Sequence, residues 1–323
     1  MTFPVSHSTL DAQALARAVA ERYDLGPPQS CRLISRGSND LYALQFSDQR
    51  RVLRVARANH RSASEATFEL ELLRHLAGGG MPVPAPIPLA DGSLHFSVVA
   101  PEGERRIVLQ TWVEGRALDH SLSPQDARAA GMLLARLHER AHGFRSAEPK
   151  LIDTVGRIER KLSYVDALLP LGTAGRDLFD QGFAVVQQWF AAGSGHGLPR
   201  GPTHGDFQYA NLMQSAGGAL AAVDFDDCGI DCLAMDIVTF AWRSRFDDLA
   251  AEIDAQFLAG YQVVRPLADA ERAALPMLLL ARDLYLHASY AAYIDRIGPV
   301  SGFEDEARFM VVLARDLHAL GIT

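Results

Sequence analysis

One stretch gathers more reactive groups than any other: His204-Gly205-Asp206-Phe207-Gln208-Tyr209-Ala210-Asn211, followed thirteen residues past the Asn by Asp224 in Val223-Asp224-Phe225-Asp226-Asp227. Between Asn211 and Asp224 two short apolar runs flank Gly217-Gly218, the pattern of a hairpin about a two-residue turn in which both glycines take positive φ. Such a turn sets Asn211 directly opposite Asp224, with Cβ atoms roughly 5 Å apart, near enough to share one cation. Asp206, Asp224, Asp226 and Asp227 would repel one another and raise some of their own pKa values unless a cation were present. The guest these oxygens suit is Mg²⁺, which takes one or two protein oxygens and completes its shell with water and phosphate, so the cluster points to a nucleotide site. An acidic turn at a strand end is the plainer alternative for Asp224-Phe225-Asp226-Asp227 alone, and the spacing back to Asp206 and Asn211 argues against it.

His-Gly-Asp, four residues, Asn, then an apolar strand ending in Asp-Phe-Asp, resembles the aminoglycoside phosphotransferase and choline kinase family, relatives of the protein kinases. The resemblance runs from Leu41 to Tyr293 and implies an α+β, protein-kinase-like, two-lobed fold. A nucleotide-binding lobe with a small antiparallel β-sheet and one main helix would cover 1–112, a mainly helical lobe 113–323, with the hinge near 110–116. It implies ATP as co-substrate, Asp206 as the catalytic base, and Asn211 and Asp224 as the Mg²⁺ ligands. Asp226 stands where protein kinases have glycine. Arg54 falls at the position of the strand Lys that contacts the phosphates, with Val52 near the adenine and Glu69 as the helix carboxylate that pairs with Arg54. Gln110-Thr111-Trp112-Val113-Glu114-Gly115 falls at the hinge, where Gln110 and Trp112 would meet the adenine; Trp112 also reads as plain core. Asp236 and His138 match recurring family positions and read as structural. The function implied is transfer of the γ-phosphate of ATP to a hydroxyl of a small molecule, such as an amino alcohol, sugar or aminoglycoside. The alternatives are a serine/threonine protein kinase of the bacterial stress-response type and a non-catalytic nucleotide-binding regulator.

These residues need elements to position them. Periodicity predicts a helix over Leu10–Tyr23, strands over Cys31–Ser35, Leu41–Phe46 and Arg51–Ala56, a helix over Ser64–Leu76, and strands over Leu94–Ala100 and Arg106–Trp112. In the third strand Val52, Arg54 and Ala56 share one face, Leu53 and Val55 the other. The first turn, Ser35-Arg36-Gly37-Ser38-Asn39, is the only plausible phosphate-covering loop, with Ser38 at its tip. Gly78-Gly79-Gly80 reads as a helix cap rather than a phosphate loop. Beyond Gly115, helices are expected over Pro124–His142, Leu178–Phe190, Leu233–Phe246, Ala250–Tyr261, Asp269–Tyr293 and Glu304–Leu320, with strands only at the hairpin around Gly217. Asp227, Asp231, Arg282 and Asp283 read either as acceptor-pocket neighbours or as structural salt bridges or solvent-facing charges.

Composition agrees with a folded enzyme: 323 residues, 48% hydrophobic and 22% charged. The net charge of −8 argues against a nucleic-acid partner and suggests an acidic cleft for a cationic or neutral hydroxylated acceptor. No secretory leader is recognised at Met1–His7, and no apolar run reaches the roughly 18 residues of a membrane span, which predicts a cytoplasmic protein. Cys31, Cys228 and Cys232 read as reduced thiols without a metal.

Overall fold

The computed structural model describes residues 3, 5–58, 61–169, 171–297 and 306–322, and the chain divides into two compact units. The first comprises Met1–Arg116, Phe144–Pro149 and Met213–Val223. Its first helix, α1 (Ala12–Arg22), is capped by Asp11 and leads into strands β1 (Ser30–Arg36), β2 (Asn39–Gln45) and β3 (Arg50–Ala56). Helix α2 (Ala63–Gly78) follows, opened by a reciprocal Ser62/Glu65 capping box and closed at Gly79, with Gly80 at φ 78° beyond it. Strands β4 (Phe96–Ala100) and β5 (Gly103–Thr111) complete an antiparallel sheet ordered β1-β2-β3-β5-β4. The period-two face of β3 is as expected: Leu53 and Val55 pack with Leu15 and Val19 of α1 and with Tyr23 just after it, while Arg54 points to the other side.

The second unit comprises Ala117–Gly143, Lys150–Leu212 and Asp224–Thr323. After the short strand β6 (Arg116–Ala117), its helices are α3 (Pro124–Ala141), α4 (Thr154–Glu159), α5 (Leu162–Leu168) and α6 (Ala174–Ala191). Strand β7 (Arg200–Thr203) leads into the His204 loop; the hairpin strands β8 (Leu212–Gln214) and β9 (Leu220–Ala222), next in the chain, belong to the first unit apart from Leu212, and β10 (Gly229–Cys232) then precedes α7 (Ala234–Phe246), α8 (Ala251–Val264), α9 (Asp269–Ile297) and α10 (Glu306–Ala319). Glu304, where the last helix was expected to begin, lies outside the described residues. Helix α9 is buried on several sides. Leu280, Ala281, Leu284 and Ala288 pack with α4, α5, α6 and α10, whereas Leu278, Leu279 and Tyr290 pack with α7 and α10.

Two expectations fail here. Strands were expected in this half only at the hairpin, yet β7 and β10 pair antiparallel, Thr203 opposite Gly229. Each has four residues, and β7 reads Arg-Gly-Pro-Thr, so neither shows an alternating pattern; pairing, not propensity, makes them strands. The hairpin register is also off by one. Ser215 donates its N–H to Ala219 at 2.9 Å and accepts from Gly218 N at 2.9 Å, and of the two glycines Gly218 alone has positive φ, 82°. This is a three-residue loop with a glycine bulge, not the two-residue turn that would place Asn211 squarely across from Asp224.

Helices α3 and α8 cross backbone to backbone. A Cβ on Gly131 would stand 1.9 Å from Phe257 O, and one on Gly260 would stand 2.0 Å from Arg128 O. That approach brings His138 of α3 within 2.8 Å of the Tyr261 hydroxyl of α8. Gly131→Ala should therefore force the helices apart and lower unfolding free energy in urea by about 1–3 kcal/mol; an unchanged midpoint would show the crossing to be loose.

Candidate active site

The site in the second unit begins where β7 ends. Thr203 Oγ1 donates to Gly229 O at 3.0 Å, tying the entry of the His204 loop to the strand after Asp227. Gly205 then turns at φ 83°, and a Cβ there would lie 2.1 Å from Asp227 O, so conformation and space both require glycine. Beneath this turn Asp236, fully buried on α7, accepts the His204 N–H at 2.7 Å, the Gly205 N–H at 2.8 Å and a bond with His138 Nε2 at 3.0 Å. The series continues through Tyr261 to Arg265 (3.1 Å) and Glu271 (2.9 Å). Burial alone would raise the Asp236 carboxyl; the bonds from His138 and the His204 N–H outweigh it and hold the group below its ordinary range. His204 packs its ring 4.2 Å from that of Phe225 and 5.5 Å from that of Phe207.

Above the turn, Asp206 is held by both carboxylate oxygens. Arg282 of α9 donates to Oδ1 at 2.8 Å and to the Gly205 carbonyl at 3.0 Å, while Asn211 Nδ2 donates to Oδ2 and to the Asp206 carbonyl, each at 2.9 Å. Burial pushes the Asp206 carboxyl above its usual range against Arg282, and neighbouring Asp227 adds to the push. Asp227 moves the other way. Burial opposes ionisation, but Arg157, Arg282, Lys150 and Lys161 together hold it at about 2. Asp224 is exposed and sits at φ 65°, a strained conformation for a residue with a side chain.

The oxygen donors suit a hard cation. Asn211 spends its amide nitrogen on Asp206 and leaves Oδ1 without a hydrogen bond among the described residues, and Asp224 brings a carboxylate. No three His, Cys, Asp or Glu side chains among the described residues gather to hold a metal alone, so an ion here would need oxygens from a ligand such as a nucleotide.

A small cleft lies beside Gly205, lined among others by Arg157, Asp227, Asp231, Arg282 and Tyr285. Asp227, Asp231 and Arg282 are therefore neighbours as expected, but Asp283 is not; it accepts the Trp242 indole N–H at 2.8 Å in the core. Nor is the cleft simply acidic, because two arginines line it. Arg157 carried no sequence signal on the short helix α4. Arg282 did: it and Asp283 interrupt the apolar run Leu278–Leu284, where a charge must be paired.

The remaining candidate residues belong to the first unit. Arg54 meets Glu69 at 2.5 Å as expected, and Glu69, with no exposed surface, also receives Arg61 at 2.5 Å, a second cation the sequence reading missed. Val52 pairs with Gln110 across β3 and β5, and Gln110 is 3% exposed with its amide nitrogen unpartnered among the described residues. Trp112 is not in the buried core; it is half-buried with the Arg50 guanidinium 4.7 Å over its ring. Ser38 is exposed at the β1–β2 turn, where Arg57 Nε donates to Gly37 O at 2.7 Å.

This antiparallel sheet with a helical second half, and a carboxylate loop clamped ahead of an Asp-Phe pair, defines a protein-kinase-like phosphotransferase. Residues 30–275 match the model of the Phosphotransferase enzyme family, and the chain belongs to that family. It is 34% identical over 303 residues to an uncharacterized protein of Deinococcus radiodurans, covering 92% of this chain and 87% of that one. It is 32% identical over 222 residues to a homoserine kinase of Polaromonas naphthalenivorans, covering 65% and 66%. Among solved structures, a microcompartment-associated aminopropanol kinase superposes with a TM-score of 0.79 at 22% identity, over 96% of this chain and 99% of that one. The chain is thus an enzyme of a phosphotransferase family. No helix among the described residues is long and apolar enough to cross a membrane.

The clamp has a measurable signature. Because the folded Asp236 carboxyl is held below its ordinary value of 3.8, its contribution to stability is present above that pH and lost as pH falls through the lowered value. Asp236→Ala should cost about 3–5 kcal/mol in urea unfolding at neutral pH, and the gap to the parent protein should narrow in acid. A gap that is small, or constant with pH, would show that Asp236 does not hold the loop.

Proposed function

We propose that the chain transfers the γ-phosphate of ATP to a hydroxyl of a small amino alcohol, with Asp206 as the base and Mg²⁺ held by Asn211 and Asp224. The observation that carries this reading is Asp206 itself: a carboxylate fixed by Arg282 and Asn211 and raised in proton affinity, next in the chain to a glycine that lines a small cleft. Bound Mg²⁺ would neutralise charge on the transferring phosphate. Asp206 accepts a hydrogen bond from the acceptor hydroxyl, orients its oxygen for in-line attack, and takes its proton as the new oxygen–phosphorus bond forms and the bond from the γ-phosphorus to the bridging oxygen breaks, releasing ADP. Arg282 keeps Asp206 in place, and Asn211 ties the base to the metal position. In the first unit, Arg54 steadied by Glu69 contacts the phosphates, Ser38 covers them, and Val52, Gln110 and Trp112 meet the adenine.

The amino alcohol class follows the names of the homoserine kinase relatives and the aminopropanol kinase neighbour. The protein-kinase alternative is weakened by the nine residues between Asp224 and α7, four of which are engaged in β10 pairing, leaving little segment to receive a polypeptide. A non-catalytic regulator would not need base, amide and Asp224 together. Cytoplasmic location is part of the reading and suits three cysteines that are free thiols.

Asp206→Asn tests the assignment. With an amino alcohol acceptor it should lower turnover by roughly 10²- to 10⁴-fold while calorimetry shows ATP binding unchanged; turnover near that of the parent would place the base elsewhere.

A further inference from the structure

Four helices of the second unit, α7, α8, α9 and α10, surround a cavity of about 240 Å³ that none of Asp206, Asn211, Asp224 or Arg282 lines. Its walls are mainly apolar: Ile237 and Ala241 of α7, Phe257 of α8, and Leu275 and Leu279 of α9. Three charged residues also line it, Arg245 of α7, Asp254 of α8 and Asp316 of α10. They form one cluster, because Arg245 Nη1 lies 3.4 Å from Asp316 Oδ1 and Arg245 Nε lies 3.6 Å from Asp254 Oδ2. The cavity is therefore apolar with one charged end.

That end is not balanced. Two carboxylates share one close guanidinium, at distances longer than an ordinary N–H···O bond. Asp316 is 3% exposed, and neither its Oδ2 nor Asp254 Oδ1 has a hydrogen-bond partner among the described residues. Arg315 acts on both carboxylates too, but from an exposed position where water screens its charge. Burial wins over both arginines, pushing the Asp316 carboxyl up to about 6 and the Asp254 carboxyl above its usual range. A buried carboxylate oxygen without a donor is costly unless a ligand supplies one.

We infer that this cavity is a binding site for a small apolar amine, its ammonium donating to Asp254 and Asp316 and its hydrocarbon body packed between α7, α8 and α9. Such a site stands whether or not Asp206 is the base. An apolar anion would add a third negative charge to two carboxylates that already share one close cation, and a neutral body would leave their free oxygens without a strong donor. A metal ion is unsuited, because no three His, Cys, Asp or Glu side chains gather to hold one among the described residues. Size sets the class further. An apolar cavity of roughly 150 Å³ takes up a benzene ring, so about 240 Å³ holds one ring with a short aminoalkyl arm.

Three probes of one shape separate the charge: phenethylamine, 2-phenylethanol and 3-phenylpropionate. Methylamine carries the charge without the apolar body. In calorimetric titrations of the whole protein without ATP, phenethylamine should bind most tightly, 2-phenylethanol about tenfold or more weakly, the usual loss for a charged hydrogen bond, and the other two more weakly still. Asp316→Asn should bring phenethylamine down to within a few-fold of 2-phenylethanol. Ala319→Leu, which adds bulk at the last lining position of α10, should weaken both apolar probes alike. Absence of phenethylamine binding at millimolar concentration overturns the inference, as does binding no tighter than that of 2-phenylethanol. A preference for phenethylamine that both variants leave unchanged places its site elsewhere and overturns it as well. The probe series on the parent protein and the Ala319→Leu titration decide the matter even if Asp316→Asn fails to fold.

Discussion

Asp236 is the interaction on which the catalytic half depends. A carboxylate with no exposed surface is stable only if its oxygens are fully used, and here it accepts two successive backbone N–H groups and an imidazole. Those backbone groups belong to His204 and Gly205, so the anion fixes the turn that presents Asp206. The imidazole belongs to α3 and is held in turn by Tyr261 of α8, across the glycine-to-backbone crossing at Gly131 and Gly260. Three helices and one loop are thereby committed to a single geometry by one buried charge.

Helix α9 supplies the opposing hold. It is buried on several sides, and its Arg282 and Tyr285 reach the cleft, where Arg282 grips Asp206 and the Gly205 carbonyl. Asp206 and Asp227 then diverge. Asp206 has one close guanidinium and is raised, whereas Asp227 faces four cations and stays ionised. Neighbouring carboxylates pushed apart in proton affinity are suited to different tasks. The raised one suits the base of the proposed reaction, and the ionised one bonds Arg157 at 2.9 Å.

Much of this was legible in the sequence because it is local. The spacing from His204 to Asp224 pointed to the loop, the period-two face of β3 put Arg54 opposite Leu53 and Val55, and the long helices showed their amphipathic stripes. What was not legible depends on partners distant in sequence. β7 and β10 become strands only by pairing with each other, and Arg157 and Arg61 gain meaning only from Asp227 and Glu69. The hairpin register turned on a single conformational choice, whether one or both glycines adopt positive φ, which Gly217-Gly218 leaves open. Arg282 stood between these cases: its charge inside an apolar helical run announced a buried partner without saying that the partner was Asp206.

The most direct test of the account is a crystal structure of the protein with Mg²⁺ and a non-hydrolysable ATP analogue. The account requires the cation to take Asn211 Oδ1 and an Asp224 carboxylate oxygen, with the terminal phosphorus facing the Asp206 carboxylate. A cation held instead by Asp226 or Asp227, or a terminal phosphate remote from Asp206, would contradict it.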